Sequence, residues 1–143
     1  MADDIEKIKE VVKNIEQNTQ RLSEIFLERV SLHAEAKLSE VFKTEGRALG
    51  VEWSPLKEAY LKWKMKKGFS EKKLHRTTTL AQSFTSKVSG LEAIVGTPVP
   101  YSIYHEFGTR HMPARPFMKP VAEYMQNIGL KKIFESVFKE VYK

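Results

Sequence analysis

Apolar residues recur at three- and four-residue spacing along the first 45 residues, and this pattern limits what the chain can fold into. Thr19 interrupts the pattern where the next apolar residue is due. The spacing predicts one long helix over about 3–45, with Asp3 or Asp4 as its N-cap and Gly46 after its end. The apolar stripe of its first half consists of Ile5, Ile8, Val12, Ile15, Leu22 and Phe26.

A helix of that length is too long for the body of one small domain. At about 1.5 Å per residue it reaches roughly 60 Å, whereas a globule of this size has a radius of gyration near 15 Å. We therefore expect part of the helix to pack on another molecule, most simply a second copy of the chain. The alternative is a helix that breaks near Asn18 and Thr19 and folds back on itself.

Length and composition indicate one domain over residues 1–143 that buries its own core. The chain is 41% apolar and 29% charged and contains no cysteine, which excludes disulfides and thiolate chemistry and fits a reducing cytoplasm. The opening MADDIEKIKE has acidic residues where a signal peptide carries basic ones. No stretch approaches the roughly 20 apolar residues of a membrane span, so no membrane association is expected.

The remaining pattern predicts an α+β fold. It has a long N-terminal helix, a second short helix, a small antiparallel sheet with a β-hairpin, and a C-terminal helix. We divide the domain into a long helical arm (1–45), an α+β core (50–120) and the C-terminal helix (118–143).

Local signals place the smaller elements. Ser54 and Pro55 are typical of a helix start, which predicts a helix over 55–67 that Gly68 ends. The predicted positions of the other elements are hairpin strands at 83–88 and 91–96 joined by a Ser89-Gly90 turn, one or two helical turns over 101–107, an extended strand over 113–117, and a final helix interrupted near Gly129.

The stretch from Pro98 to Phe117, PVPYSIYHEFGTRHMPARPF, combines aromatics, histidines and prolines in a mixture that no helix or strand pattern requires. It resembles the signature of the phage virion morphogenesis family, the Mu-like tail-completion and neck proteins. In that family a "vpYaxxHEFGT" segment precedes "MPARPF", and an earlier "W-x-P-L" matches Trp53, Pro55 and Leu56. Where the family often has "L-x-x-T-G-x-L", this chain has Thr78 in place of the glycine.

The resemblance covers about residues 50–120 and does not extend to the N-terminal helix. It supplies the candidate site residues, which are a structural signature and not a catalytic set. They are Trp53, Pro55, Leu56, Tyr101, His105, Glu106, Phe107, Gly108, Met112, Pro113, Arg115, Pro116 and Phe117.

The resemblance implies a structural protein for tail completion or head–tail joining, and not an enzyme. It implies assembly with other virion proteins (the tail tube or the head–tail connector) and with copies of itself in a ring, with a stoichiometry near six from tail symmetry. It also implies localisation in the host bacterial cytoplasm during assembly and then in the virion.

Two features of the signature lead to structural predictions. Glu106 and Arg115 lie beside residues that we expect to be buried, Phe107 on one side and Pro116 and Phe117 on the other, so a guanidinium–carboxylate pair would tie the two halves of the signature together. The alternative is that the two charges never meet and face solvent. Phe117 and Tyr101 are expected to be core anchors.

The sequence offers little for catalysis or for cofactors. His105 and His111 are six residues apart, whereas a helical zinc motif needs two histidines four apart. No serine, threonine or cysteine has a neighbouring base that spacing identifies, and no glycine-rich phosphate loop is present. We therefore expect neither enzymatic activity nor a cofactor.

Charge is distributed unevenly, which motivates a second hypothesis. Residues 1–60 hold 9 Lys/Arg and 12 Asp/Glu (net −3), whereas 61–143 hold 15 and 6 (net +9). A non-specific nucleic-acid-binding surface would use the 62–76 segment, in which Trp63 lies between lysines and which Tyr60 precedes. The simpler interpretation is a solvated lysine-rich face with Trp63 in the core. The candidate DNA-facing residues are Lys62, Lys64, Lys66, Lys67, Lys72, Lys73 and Arg76.

Overall fold

The structure is a computed structural model that describes residues 1–69 and 79–142. One unbroken helix, α1, spans Ala2–Lys43. The long helix expected over 3–45 is therefore confirmed, and the alternative of two helices folded back is wrong. Asp3 and Asp4 lie in its first turn and do not cap it. With 42 residues at about 1.5 Å each, α1 is about 63 Å long.

The chain leaves α1 through a tight reversal at Glu45 and Gly46. Both have positive φ, 54° and 89°, and the N–H of Gly46 donates to the carbonyl of Val41 at 2.9 Å. A Cβ added at Gly46 would lie 1.7 Å from the carbonyl oxygen of Val51, so only glycine fits there. The reversal carries Trp53 to the end of α1, where its N–H donates to the carbonyl of Glu45 at 3.0 Å.

The second helix, α2, spans Glu58–Lys66, three residues shorter at its start than the predicted 55–67. Its N-cap is Lys57, so the prediction that Ser54 caps this helix is wrong. Gly68 follows the end of α2 with φ 77°, as expected for a helix-terminating glycine. A short helix, α3, spans Thr79–Gln82.

The two described strands form an antiparallel hairpin, with β1 at Thr85–Ser89 and β2 at Glu92–Gly96. Because Ser89 pairs with Glu92, the two-residue turn is Gly90-Leu91 and not the predicted Ser89-Gly90. Ala93 and Val95 are half-buried, whereas Glu92 and Ile94 between them are exposed, so β2 has one side towards the core.

Beyond residue 101 and up to residue 141, the chain is helical apart from residues 108–117. Helix α4 spans Ser102–Phe107, as predicted for 101–107. Residues 113–117 form no strand in the described structure, since the nearby pairing is an isolated bridge between Thr109 and Met112. The C-terminal helix has three consecutive parts: α5 at Met118–Tyr124, a π-helical turn at Met125–Gly129, and α6 at Leu130–Val141.

The core lies between the second half of α1 and the elements packed on it, which confirms the α+β class. Phe42 is at its centre, with ring centroids 5.3 Å from Trp53, 5.6 Å from Phe84 and 5.4 Å from Phe117. The buried apolar residues are Ala34, Leu38, Val41, Phe42, Trp53, Leu80, Phe117, Val121, Met125, Ile133 and Val137. All of those from α1 lie beyond residue 30, so the core uses only part of this helix.

Residues 2–21 of α1 lie outside this core. From here on, the arm means these residues alone and not the whole predicted arm of 1–45. Ile5, Ile8, Val12 and Ile15 are 47–63% exposed. Apolar packing against the body begins at Leu22. Among the described residues, no helix combines the length and apolar character needed to cross a bilayer.

Candidate functional site

The two halves of the signature meet the segment 53–55 at the end of α1. Trp53 is buried there, and its indole N–H donates to the carbonyl of Pro116 at 2.8 Å. Phe117 is 1% exposed and packs against Phe42 and Phe84. The prediction that Phe117 is a core anchor is confirmed.

Arg115 also joins the signature to segment 53–55, through two side-chain hydrogen bonds. The side chain is 6% exposed, with Nε donating to the carbonyl of Ser54 at 3.0 Å and Nη2 to the carbonyl of Pro55 at 3.1 Å. Burial lowers the pKa of the Arg115 guanidinium, an effect that Tyr60 opposes. These two carbonyls are held by Arg115 outside the helix, which explains why α2 begins only at Glu58.

Glu106 caps the C-terminal helix from a distance in sequence. Its Oε2 accepts the backbone N–H groups of Phe117 at 2.9 Å and Met118 at 3.0 Å, and its Oε1 accepts that of Lys119 at 2.9 Å. A carboxylate at this position satisfies three of the amides that a helix N-terminus leaves without partners. Glu106 therefore fixes where α5 starts.

The predicted ion pair between Glu106 and Arg115 is wrong. No ion pair joins them among those seen in residues 1–69 and 79–142, because each is held by backbone groups elsewhere. The alternative that both face solvent is also wrong, since Arg115 is buried. The two halves of the signature are joined instead by backbone, where the N–H of Arg115 donates to the carbonyl of His105 at 2.7 Å.

Gly108 allows the two halves of the signature to approach this closely. Its φ is 76°, and an added Cβ would lie 2.7 Å from the backbone nitrogen of Ala114 and 3.1 Å from the carbonyl oxygen of Met112. A side chain there would push residues 112–114 away from the end of α4. The glycine of HEFGT is thus required by close backbone contact.

A cavity of about 660 Å³ opens between α2 and α4. Tyr101, predicted to be a core anchor, lines this cavity and is 42% exposed, so that prediction is wrong. Met112 and Pro113 of the signature are also at its wall. No acidic residue is among the described side chains that line it, and no cluster of three metal-binding side chains occurs in the described parts of the chain.

His105 lies at the edge of this cavity, in surroundings that disfavour its protonated form. Its Nδ1 is buried and has no hydrogen-bond partner among the described residues, so a second ring proton would have no acceptor there. Burial lowers the pKa of His105, and the charge of Arg115 lowers it further. His33 has a lowered pKa for similar reasons, first burial and then the charges of Lys37 and Lys132.

We expect the protein to lose stability as the pH falls from about 7.5 to 5.5. The unfolded chain binds these two protons near pH 6.5, whereas the folded chain resists them. The contribution of the two neutral histidines to stability is therefore fully present above about pH 6.5. It is lost as the pH falls through their lowered folded-state pKa values. Melting temperatures across this range should fall less for the double variant His33→Gln/His105→Gln than for the unchanged protein. Equal pH dependence of the two would contradict the prediction.

The signature helix α4 has an inner and an outer side. The inner side, His105 and Glu106, is bonded to the body as described above. The outer side, Ile103, Tyr104 and Phe107, is exposed, and Phe107 is 77% exposed. Sequence reasoning expected Phe107 to be buried and did not single out Ile103. The spacing 103, 104, 107 on a helix was the available signal for this surface.

The structure corrects the predicted basic surface on α2. Lys64 is 1% exposed, with its Nζ 5.8 Å from the ring centroid of Tyr60, so it does not belong to a solvated face. Trp63 is not in the core: it stacks on Tyr60 with centroids 5.7 Å apart, and both are partly exposed.

Lys62, Lys66 and Lys67 are exposed as expected. Three further predicted DNA-facing residues, Lys72, Lys73 and Arg76, lie outside the described residues. The same holds for Thr78, which replaces the family's glycine.

Comparison with known proteins extends the resemblance beyond the signature. The family model of the phage virion morphogenesis family matches residues 3–137, which includes the arm that the sequence analysis left out. An uncharacterised protein of Methanocaldococcus jannaschii is 36% identical over 97 residues, or 64% of this chain and 71% of that protein. No solved structure matches the chain. On the match to nearly its whole length, the chain belongs to the phage virion morphogenesis family.

Proposed function

We propose that the protein is a non-enzymatic structural component that completes the tail or joins it to the head, and that it acts through protein–protein contacts as one domain. Its partners are other virion proteins and further copies of itself, in a ring of about six as tail symmetry suggests for the family. The proposed site of action is the cytoplasm of the infected host and then the virion.

The observation that carries this proposal is the outer side of α4. The inner side of the same six-residue helix is fixed to the body by backbone and carboxylate hydrogen bonds. Ile103, Tyr104 and Phe107 are thereby held in fixed positions while exposed to solvent. Rigidly presented aromatic and aliphatic side chains are typical of the centre of protein interfaces. We assign this surface to contact with a neighbouring virion protein.

Deletion of the gene from the phage or prophage that encodes it tests the role. We expect electron microscopy to show heads and tails that fail to join, or tails of altered length, and a plasmid copy to restore joined particles. A plasmid carrying Phe107→Ala should fail to restore them even though the variant folds. Normal joined particles from the deletion would contradict the proposal.

Self-association is expected of the isolated protein. Large apolar side chains of the arm and of α4 are exposed, and association would remove them from water. Light scattering over a concentration series up to about 100 µM, well above the micromolar range of specific assembly, should show the mass rising above that of one chain. A strict monomer throughout would contradict self-assembly in the absence of other virion proteins.

A second candidate function is non-specific DNA contact through α2, which Lys62, Lys66 and Lys67 favour by their exposure. We expect such binding to be weak, independent of sequence, and lost between about 50 and 200 mM salt, because lysine–phosphate contacts release counterions. Replacing these three lysines by glutamine should weaken binding to unrelated duplexes more than the matched control, in which Lys131, Lys132 and Lys139 are replaced. Sequence preference that survives the higher salt would instead indicate a dedicated DNA-binding protein.

A further inference from the structure

The arm carries a heptad repeat. Counting Ile5 as position a places Val12, Thr19 and Phe26 at later a positions and leaves the d positions to isoleucine or leucine. The d residues are Ile8, Ile15 and Leu22. Repeats of this kind form a seam that packs knobs into holes against one or more similar helices. The four apolar seam residues of the arm proper are about half exposed or more, so the seam has no partner within the described chain.

Thr19, the polar position in the seam, does not prevent burial. Its hydroxyl donates to the carbonyl of Ile15 at 2.8 Å within the same helix. A buried hydroxyl without a partner is costly, but this one already has a partner before any association. A single polar a position also favours one register over others.

The flanks of the seam match a second copy of the same arm. In a parallel pair, a g position of one helix faces the next e position of its partner. Asp4 is at g and Lys9 is at e, so identical parallel arms in register place opposite charges together at their N-terminal ends. Lys9 also contacts Glu6 of its own helix at 3.1 Å with both side chains exposed, and Asp4 would extend this exposed pair across the seam.

The seam continues onto the body through aromatic residues. Phe26, the last a position, lies edge-on to Phe134 with ring centroids 5.8 Å apart. From there a half-exposed ladder follows one side of α6, with centroid separations of 5.9 Å from Phe134 to Phe138 and 4.8 Å from Phe138 to Tyr142. A copy aligned along the arm therefore meets apolar surface on the body as well.

We infer that the arms of separate copies associate in parallel and in register, and that this seam is the main contact between copies. Isoleucine or valine at a with isoleucine at d favours more than two strands, and the apolar Val11 at g widens the contact surface. The inference rests on the proposed assembly role for one point: copies related by rotation about a ring axis all point the same way, which makes their arms parallel.

Cysteine cross-linking of the full chain tests the geometry, because the natural sequence contains no cysteine. A disulfide needs Cβ atoms about 3.5–4.5 Å apart. Parallel arms in register bring Ile8 to Ile8 and Ile15 to Ile15, so Ile8→Cys and Ile15→Cys should each form covalent dimers under mild oxidation. Glu10→Cys, at the outward f position, is the control and should not. Antiparallel arms can bring only one of the two seam positions onto itself, so cross-linking of one alone would overturn the inference.

A charge-insertion pair separates failure of this inference from failure of the proposed function. Ile8→Asp/Ile15→Asp should abolish the higher mass seen by light scattering and leave the melting temperature of the monomer unchanged, since both residues are exposed. Asn14→Asp/Gln17→Asp adds the same charges on the outward side and should assemble normally. If the seam variant assembles as well as the control, the arm inference is wrong while assembly stands. If the unchanged protein does not assemble and neither cysteine variant cross-links, the arm inference is wrong, and gene deletion then decides the virion role alone.

Discussion

Phe117→Ala should lower the free energy of unfolding by about 3–5 kcal/mol, as is usual when a fully buried phenylalanine is reduced to alanine. Phe117 is 1% exposed, and its ring lies within 5.4 Å (centroid to centroid) of both Phe42 and Phe84. Its backbone N–H is also one of the three that Glu106 accepts, so a shift of the chain here would disturb the start of α5. Urea unfolding at a fixed protein concentration measures the change.

Phe107→Ala is the matched control, because it makes the same substitution ten residues earlier in the same signature. Phe107 is largely exposed, so its replacement should change stability by no more than about 0.5 kcal/mol. If both variants were equally stable, Phe117 would have to be a surface residue. If both were equally unstable, Phe107 would be part of the folded core and could not be the proposed contact surface.

Arg115→Met should destabilise the fold by about 2–4 kcal/mol, although methionine retains an unbranched apolar stem like that of arginine. The substitution leaves the carbonyls of Ser54 and Pro55 without their charged donors, and hydrogen bonds to charged groups contribute about 1.5–3 kcal/mol each. Arg115→Lys should recover only part of the loss, because a single ammonium cannot reproduce the planar fork that contacts both carbonyls. Thermal unfolding of the three proteins gives the order.

Arg110→Met is the control for lost charge, since Arg110 is exposed in the turn between the two halves of the signature. It should leave the melting temperature nearly unchanged. A double-mutant cycle between Arg115 and Glu106 should then show only the weak coupling of residues that share no direct contact. Strong coupling would mean that the guanidinium and carboxylate interact in solution after all.

Sequence periodicity was sufficient where a regular element was long. The stripe from Ile5 to Phe26 predicted an unbroken helix, and glycine at 46 and 68 marked two ends. The alternation in residues 91–96 predicted strand β2 of the hairpin. In the helix and in the strand, the spacing of the apolar residues matches the period of the backbone, so the local sequence is sufficient to predict the element.

Sequence reasoning failed where two distant segments compete for the same polar groups. Ser54-Pro55 is a good local helix start, but Arg115, about 60 residues later, holds the two carbonyls and delays α2 to Glu58. Glu106 has an attractive neighbour in Arg115 by sequence, yet three amides at the start of α5 bind it instead. The start of α5 offers Glu106 three backbone N–H donors at once. The guanidinium of Arg115 is already buried against the carbonyls of Ser54 and Pro55, so it does not compete for the carboxylate.

By itself the sequence determined the helices, the hairpin and the family, because the spacing of apolar residues and the signature motif are both properties of the local sequence. Only the tertiary structure decided which side of each short helix is buried. On α2 it placed Lys64 inside and Trp63 outside, and on α4 it fixed His105 and Glu106 inward and left Phe107 exposed. The physical reason is that a helix of six or nine residues has too few turns for periodicity to define one apolar face, so contacts from elsewhere in the chain choose it.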